Sequence, residues 1–278
     1  MLDVPVAPFH AIPFDGIGVD DPDAERKYRT IWVSDVHLGT WACKAEQLVD
    51  FLRHHSADTI YLVGDIIDCW RLRSRWHWPQ SHNDLVQKLL RLARKGHRLI
   101  YIPGNHDELL RKYLGLSFGG IALAGSCTHV TADGRRLLVL HGDEFDGVVL
   151  YSKWIAKLGA WLYDILTLVN QGFNYMRRQL GFPYWSLSAF LKHKVKNVRA
   201  FADRFEQVFL REARRREVDG IVCGHIHKAE MRVHQGILYC NTGDWVESCT
   251  ALVEHFDGRL ELLAWTEVLG PVAKKGAR

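Results

Sequence analysis

The stretch "RLIYIPGNHD", residues 98–107, runs from an apolar segment into a glycine, an amide, an imidazole and a carboxylate. Taken alone, GNHD has the composition of a surface turn, because glycine, asparagine and aspartate are all favoured there. The rest of the chain indicates that GNHD is more than a surface turn, because the pattern of an apolar segment followed by a polar cluster recurs four times. The other segments are TIWVSDVH (30–37), TIYLVGD (59–65), RLLVLHGD (136–143) and GIVCGHIH (220–227).

These five segments predict buried strands of an α/β sheet. Between the first three lie two amphipathic helical patterns, residues 44–55 and 82–96. Alternation of strand and helix is typical of an α/β fold, in which ligands bind at the carboxyl ends of the strands. The polar clusters are therefore expected to meet at one edge. Residues 231–265 alternate as strands do, with glycine turns at 236 and 258, and we expect antiparallel strands that complete a second sheet.

Composition narrows the class of protein. Of the 278 residues 47% are hydrophobic and 24% charged, which suits a globular chain with a sizeable core. No apolar run reaches the ~18 to 20 residues that a membrane-spanning helix needs. The first residues lack the basic and apolar regions of a secretory signal, and the six cysteines form no CxxC pair. We therefore expect reduced, buried thiols and a cytoplasmic protein.

The polar clusters offer a set of metal ligands. Imidazole nitrogens with carboxylate and amide oxygens suit Mn, Fe or Zn, and no thiolate is present to favour a softer metal. Three histidines would fill one catalytic zinc site, and this larger set favours two ions. In chain order the clusters are Asp35 and His37; Asp65 and Asp68; Asn105, His106 and Asp107; His141 and Asp143; His225 and His227.

In this order, D-x-H (35–37), GDxxD (64–68), GNHD (104–107), HGD (141–143) and GHxH (224–227) resemble the motifs of the calcineurin-like metallophosphoesterase superfamily. The resemblance covers about residues 30–265 and implies a four-layer α/β/β/α sandwich with two metal ions at one edge. It implies a first metal held by Asp35, His37, Asp65 and His227. It implies a second held by Asp65, Asn105, His141 and His225, with Asp65 bridging the two.

The resemblance also implies catalytic roles. His106 is similar to the family's non-ligand histidine, which contacts the phosphate or protonates the leaving oxygen, and Asp107 is expected to orient its ring. Asp68 and Asp143 are expected to support ligands or loops instead of binding metal. The predicted mechanism is in-line attack on phosphorus by a hydroxide that bridges the metals, without a covalent enzyme intermediate.

Spacing predicts a helical cap inserted into the sandwich. His141 and His225 are 84 positions apart, whereas 30 or 40 positions separate the earlier motifs. We assign residues 28–146 and 218–267 to the metallophosphoesterase core, 147–217 to the cap, 1–27 to a flexible leader and 268–278 to a tail. Residues 150–217 are rich in aromatic residues and carry a net charge of +8, against −4 for the remainder. Ordinary helix packing explains such faces, but an acyl chain and an anionic membrane surface also suit them, with Lys192 and Lys196 as candidate substrate contacts.

A second candidate substrate region follows GDxxD. Arg71, Arg73 and Arg75 alternate along the chain beside Trp70. In an extended segment this alternation would place the three guanidinium groups on one side, where they would clamp a diphosphate. Trp76 and Trp78 lie in the same stretch, where they either stack on a base or ring or simply cap the next helix with Pro79.

The helical insertion and the D-x-W at 68–70 make the chain similar to the UDP-2,3-diacylglucosamine diphosphatase group. Those enzymes split a diacylated sugar nucleotide of lipid A synthesis into UMP and a lipid phosphate, usually with Mn. The resemblance implies a lipid-linked nucleotide substrate, two divalent ions with Mn first and Fe or Zn as alternatives, and peripheral contact with the inner face of the cell membrane. The best-studied branch carries Arg where this chain has His106, so the chain resembles a related branch.

Two other functions remain open. A metallophosphodiesterase acting on nucleotides or nucleic acid would use the basic insertion for binding, but that insertion is as apolar as it is basic and no nucleic-acid motif is present. A metal-free scaffold of the same fold would carry broken motifs, whereas all seven expected ligands and His106 are in place. The sequence leaves the oligomeric state open.

Overall fold

The computed structural model describes residues 26–145 and 208–265, together with Gln179. Its elements in chain order are β1 (Arg26–Val33), α1 (Ala45–His54), β2 (His55–Val63), α2 (Cys69–Ser74), α3 (Gln80–Arg94), β3 (Arg98–Ile102), β4 (Ser117–Phe118), β5 (Ile121–Leu123), β6 (Cys127–Val130), β7 (Arg136–Val139), β8 (Gly220–Cys223), β9 (Glu230–His234), β10 (Ile237–Asn241), β11 (Thr250–Glu254) and β12 (Leu260–Ala264). Short 3-10 helices cover Glu108–Tyr113 and Asp143–Phe145, and residues 208–215 are helical.

The strands form two sheets. The seven-stranded sheet has the order β12-β11-β1-β2-β3-β5-β4, in which β1, β2, β3 and β5 are parallel. The five-stranded sheet has the order β6-β7-β8-β10-β9, in which β7, β8 and β10 are parallel. Each of the five predicted strands is therefore a parallel strand, β1, β2 and β3 in one sheet and β7 and β8 in the other.

Side chains of alternate residues face different layers, as the two-residue period of a strand requires. In β1, Ile31 and Val33 pack beneath the helices, whereas Trp32 faces the other sheet. In β7, Leu137 packs between the sheets and Leu138 on the far face. Each strand thus contributes side chains to two apolar layers: the layer between the two sheets and the layer on the outer face of its own sheet.

Helices cover both outer faces. The face of α3 turned to the seven-stranded sheet carries Leu85, Leu89 and Leu92, the spacing that aligns side chains on one side of a helix. α1 packs beside it. On the five-stranded sheet, Phe209 and Ala213 of the helical segment 208–215 form the outer layer. The predicted four-layer α/β/β/α sandwich is confirmed, and its fourth layer comes from residues that the sequence analysis placed in the insertion.

The C-terminal strands divide between the sheets. The β9–β10 hairpin turns at Gly236 and joins the five-stranded sheet as predicted. The β11–β12 hairpin turns at Gly258 but joins the seven-stranded sheet, where Glu254 pairs with Thr30. The predicted second-sheet position is therefore wrong for β11 and β12. Their partner strand lies 224 residues earlier in the chain, and a local pattern carries no information about so distant a pairing.

Residues 1–25, 146–207 apart from Gln179, and 266–278 lie outside the described ranges. They include most of the predicted leader at 1–27, most of the predicted cap at 147–217 and the whole predicted tail at 268–278. Within the described ranges, no helix combines the length and the apolar character needed to cross a bilayer.

Candidate metal centre

The predicted ligands meet at one edge of the sandwich. β1, β2 and β3 are parallel to one another in one sheet, and β7 and β8 are parallel in the other, so each sheet presents its ligands at one edge. The ligand atoms fall into compact groups whose members lie within 4.8 Å of one another: Asp35, His37 and His227; Asp65, His141 and His225; and His37, Asp68 and His106.

Backbone strain is concentrated at the same positions. Eight described residues other than glycine have a positive φ, and five of them are predicted ligands. These five, with φ between 51° and 70°, are Asp35, His37, Asp65, His225 and His227. Each such residue costs roughly 1–2 kcal/mol relative to ordinary backbone. Strain held at several polar residues of one edge is typical of a functional site.

Glycines beside the ligands make room for close approach. A Cβ at Gly104 would overlap the Asp65 carboxylate, and one at Gly224 would overlap Asp35. A Cβ at Gly64 would overlap the ring of His141. The glycines of the GDxxD, GNHD and GHxH motifs therefore permit the contact between loops that brings the ligands together.

The first group surrounds Asp35. Its Oδ2 accepts a hydrogen bond from the backbone N–H of His225 at 2.9 Å, and its Oδ1 lies 3.1 Å from His227 Nε2. His37 Nε2 lies 3.3 Å from His227 Nε2 and 4.0 Å from Asp35 Oδ1. Ligands held about 2.1 Å from one ion stand roughly 3 to 3.5 Å apart. The two distances to His227 Nε2 fall in this range, and the third, between His37 and Asp35, is longer.

Asp65 lies between the two predicted metal positions. Its Oδ1 accepts from the backbone N–H of His106 at 2.8 Å. Its Oδ2 lies 3.4 Å from His141 Nε2 and 3.9 Å from His37 Nε2, one histidine from each predicted set. The Nδ1 of His141 donates to the Val63 carbonyl at 2.9 Å, which leaves the Nε2 lone pair directed at the site. This arrangement suits a carboxylate shared by two ions.

Asn105 supplies a further oxygen. Its Oδ1 is buried and accepts no hydrogen bond from any described residue. A buried amide oxygen without a donor is costly unless a cation takes its place. The donor set of carboxylates, imidazoles and this amide, without a thiolate, therefore fits divalent ions such as Mn, Fe or Zn.

The contact to His106 differs from the prediction. Asp68 Oδ2 lies 2.8 Å from His106 Nδ1 and 3.2 Å from His37 Nδ1. Asp107 instead points inward, where its fully buried carboxylate accepts from Tyr101 Oη and from the backbone N–H groups of Ile66 and Gly104. The prediction that Asp107 orients the His106 ring is wrong, because adjacent residues of this loop face opposite directions. Asp68 makes that contact, and Asp107 holds the loop in shape.

The ionisable groups of the site shift one another's pKa values. Burial on its own raises the pKa of the Asp35 carboxyl, but attraction by His227 outweighs it and lowers that pKa to about 2. Burial lowers the pKa of His37, yet its hydrogen bond to Asp68 and the nearby carboxylates raise that pKa to about 9. The carboxylates thus hold positive charge in place, and protons and metal ions compete for the same nitrogens.

The predicted substrate contacts are only partly brought to the site. The ring of Trp70 lies over His106, with centroids 4.3 Å apart. Arg71, Arg73 and Arg75 are not on one extended segment, because Arg71 and Arg73 lie in the helix α2, which begins where Asp68 accepts from the backbone N–H of Arg71 at 2.8 Å, and only Arg75, after the end of the helix, has extended backbone. Residues two apart lie on opposite sides of a helix, so the predicted alternating clamp is wrong. Lys192 and Lys196 lie outside the described residues.

A polar support layer behind the ligands was not identified from the sequence. Asn241 Nδ2 donates to the Gly224 carbonyl at 2.6 Å, and Thr242 Oγ1 lies 2.6 Å from Ser34 Oγ. These contacts tie the end of β10 to the loops that carry Asp35 and His225. The signal was present, since NTGD at 241–244 is another polar cluster directly after an apolar strand.

A comparison with known protein families identifies the family to which this chain belongs. Residues 28–229, well over half of the chain, match the family model described as calcineurin-like phosphoesterase. The chain belongs to that family and is a hydrolase, as the motifs predicted. The family implies divalent metal ions, for which the clusters at the carboxyl ends of the strands are the candidate sites.

Particular relatives share one description. The chain is 26% identical over 230 residues to "UDP-2,3-diacylglucosamine hydrolase" of Psychromonas ingrahamii, covering 78% of this chain and 89% of that protein. It is 24% identical over 220 residues to the protein of the same description from Photorhabdus laumondii, covering 76% and 88%. Among solved structures, a phosphoesterase from E. coli aligns over 85% of this chain and 99% of its own, with 14% identity and a TM-score of 0.39.

Proposed function

We propose that this hydrolase cleaves the diphosphate of a UDP-2,3-diacylglucosamine-like lipid sugar nucleotide, giving UMP and a lipid phosphate. One observation carries the proposal: Asp65 lies between two sets of ligands that follow the family pattern, in a chain similar to the UDP-2,3-diacylglucosamine hydrolases over more than three quarters of its length. The first set is Asp35, His37, Asp65 and His227, and the second is Asp65, Asn105, His141 and His225. We propose Mn for both.

The metal ions, when bound, would neutralise charge on the diphosphate and lower the pKa of a water held between them. The chain's own groups divide the remaining work. Asp68 holds Nδ1 of His106, so that Nε2 of the same ring faces the site. In that position His106 donates a proton to the departing phosphate oxygen, the step for which a positioned imidazole is suited. Trp70 packs against one side of the His106 ring.

The location of the enzyme follows from its substrate. A diacylated sugar nucleotide carries its acyl chains in a membrane, so we propose a cytoplasmic protein that contacts the inner face of the cell membrane. Lys192, Lys196 and the aromatic residues of the insertion are the proposed contacts. Their support is compositional, since apolar and basic residues together suit an anionic membrane surface.

The alternative is a metallophosphodiesterase that acts on nucleotides without lipid. The observation that favours it is His106, which the family pattern of simple phosphodiester hydrolysis shares. Such an enzyme would need the metal centre and the acid but no acyl-binding surface.

Phosphorus NMR of the Mn-loaded protein with UDP-2,3-diacylglucosamine separates the two functions. The proposal expects UMP and the lipid monophosphate as products, and no reaction with Asp65→Asn. Asp58→Asn is the matched control, because it makes the same change at an exposed position earlier in β2. Hydrolysis of bis-p-nitrophenyl phosphate with no cleavage of the lipid substrate would overturn the proposed substrate and leave the phosphodiesterase.

A further inference from the structure

An exposed ring pair includes Trp41, four residues after the predicted ligand His37 in the chain. The indole of Trp41 stacks on the imidazole of His77, with centroids 3.7 Å apart and planes inclined by 26°. Trp41 remains 63% exposed, so its second face is open. An exposed indole gains little free energy from burial. Stacking on a second ring fixes the plane in which the exposed indole lies.

The loop that carries Trp41 is fixed close to the ligands. The backbone N–H of Thr40 donates to the carbonyl of His37 at 3.1 Å, and the N–H of Lys44 donates to the Trp245 carbonyl at 2.9 Å. Four residues span at most about 14 Å when extended, which bounds the separation of the Trp41 and His37 Cα atoms. A nucleoside diphosphate has about the reach to join a base at Trp41 to phosphates at the ligands.

The ring pair is braced from behind. His77 meets His82 edge-on at 5.8 Å, and His82 Nδ1 accepts from the backbone N–H of Gly39 at 3.2 Å. His82 is buried, and burial lowers its pKa to about 4, so it is the neutral acceptor that this hydrogen bond requires. His77 is therefore packed between Trp41 and His82, and His82 is tied to the loop that carries Trp41.

Neighbouring tryptophans lack this arrangement. Trp78 is half-buried and donates its Nε1–H to Asn83 at 2.9 Å. Trp76 is 73% exposed, and its ring centroid lies 6.0 Å from that of Trp78. Of Trp41, Trp76 and Trp78, only Trp41 is both mainly exposed and stacked closely on a partner ring, at 3.7 Å.

We infer that Trp41, backed by His77, is the platform on which the nucleobase of the substrate stacks. A flat base is the ligand class that an exposed, oriented indole recognises, and it pairs with such a ring whatever its hydrogen-bonding pattern. The loop packs through Gly39 against Leu72 of α2, the helix that also carries Arg71. This inference rests on the proposed function only in requiring a nucleotide.

Calorimetric titration of the Mn-loaded protein with UMP and with ribose 5-phosphate, which lacks the base, tests the inference directly. Wild type should bind UMP about tenfold more tightly than ribose 5-phosphate, the order expected for one base–aromatic stack. In Trp41→Leu the two dissociation constants should become equal, whereas Trp41→Phe should keep much of the difference. Trp76→Leu, at a tryptophan that is even more exposed, should keep all of it.

Equal dissociation constants in wild type, binding of neither ligand, or an unchanged ratio in Trp41→Leu would overturn the platform. These outcomes are independent of the lipid experiment. Cleavage of the lipid substrate with no preference for UMP would refute the platform alone. A preference for UMP that depends on Trp41, with no lipid cleavage, would refute only the proposed substrate.

Discussion

Buried carboxylates occur at both edges of the sandwich, and their surroundings differ. At the far edge, Glu254 is fully buried and accepts hydrogen bonds from Arg29 Nη1, Thr30 Oγ1, His129 Nε2 and the backbone N–H of Ala132, all at 2.7–2.8 Å. At the metal edge, one oxygen of Asp65 has a backbone donor and the other faces histidine nitrogens at 3.4 Å or more.

The two edges thus illustrate two uses of a buried charge. The protein itself satisfies Glu254, which joins β11 of one sheet to β6 of the other and serves stability. The second oxygen of Asp65 meets only imidazole nitrogens, at 3.4 Å or more, which leaves room for a cation between them, and strained backbone holds the residue there. A complete set of donors marks a structural charge, and an incomplete one marks a charge reserved for a ligand.

The largest expected effect is at the metal edge. Asp65→Asn should reduce phosphoester hydrolysis by about 10⁴-fold, because several kcal/mol of transition-state stabilisation depend on the ions. Metal analysis after gel filtration should show loss of bound Mn, with a melting temperature no lower than that of the metal-free wild type. Glu254→Gln is the contrasting variant and should keep its metal; equal metal content in both variants would abolish the distinction between the edges.

A smaller loss of activity is expected when the proposed general acid, His106, is replaced. His106→Gln should slow cleavage of an alkyl phosphodiester by about 10³-fold, within the usual range for a positioned acid. The loss should be much smaller for a p-nitrophenyl ester, whose leaving group needs no proton, and bound metal should be unchanged. Asp68→Asn should show the same dependence on the leaving group in weaker form. Equal losses for both esters would exclude proton donation by His106.

At the far edge the effect should appear in stability. Glu254→Gln should lower the free energy of unfolding by about 2 kcal/mol, since several charge-assisted hydrogen bonds are weakened together. Urea denaturation at pH 7 measures this difference. Glu261→Gln removes a charge from an exposed pair with Arg259 and should change stability by less than about 0.5 kcal/mol. Similar values for the two variants would contradict a structural role for Glu254.

The smallest expected effect is the pH dependence of the difference in unfolding free energy between wild type and Glu254→Gln. Burial raises the pKa of Glu254, but hydrogen bonds from His129, Ala132, Thr30 and Arg29 outweigh it and lower the pKa to about 2. A carboxyl with a depressed folded-state pKa stabilises fully above its ordinary value of 4.5 and loses that contribution as the pH falls towards 2. The gap between wild type and Glu254→Gln should therefore be constant from pH 7 to 5 and narrow below 4.5. A gap independent of pH would contradict the assignment.

Much of the metal edge could be predicted from the sequence because its information is local. Each ligand directly follows an apolar strand, and parallel strands bring such positions together without further specification. The far edge could not be predicted in this way. Glu254, Arg29 and His129 come from three distant parts of the chain and follow no motif.

The errors have the same origin. Asp107 is next to His106 in sequence, but Asp68, from another loop, is next to it in space. The row of Arg71, Arg73 and Arg75 assumed an extended chain, whereas the cap at Asp68 starts a helix. Which sheet a hairpin joins depends on its partner strand, so β11 and β12 were beyond a local pattern.

The contact between Phe145 and Phe209, whose rings lie 4.9 Å apart, has a consequence for how this fold diversifies. It brings together the two points between which the chain carries residues 146–207. When the exit and return points of a segment nearly touch, its length adds only logarithmically to the cost of closing the loop. A change in the number of residues between Phe145 and Phe209 should therefore cost the fold little free energy and leave the metal ligands in position.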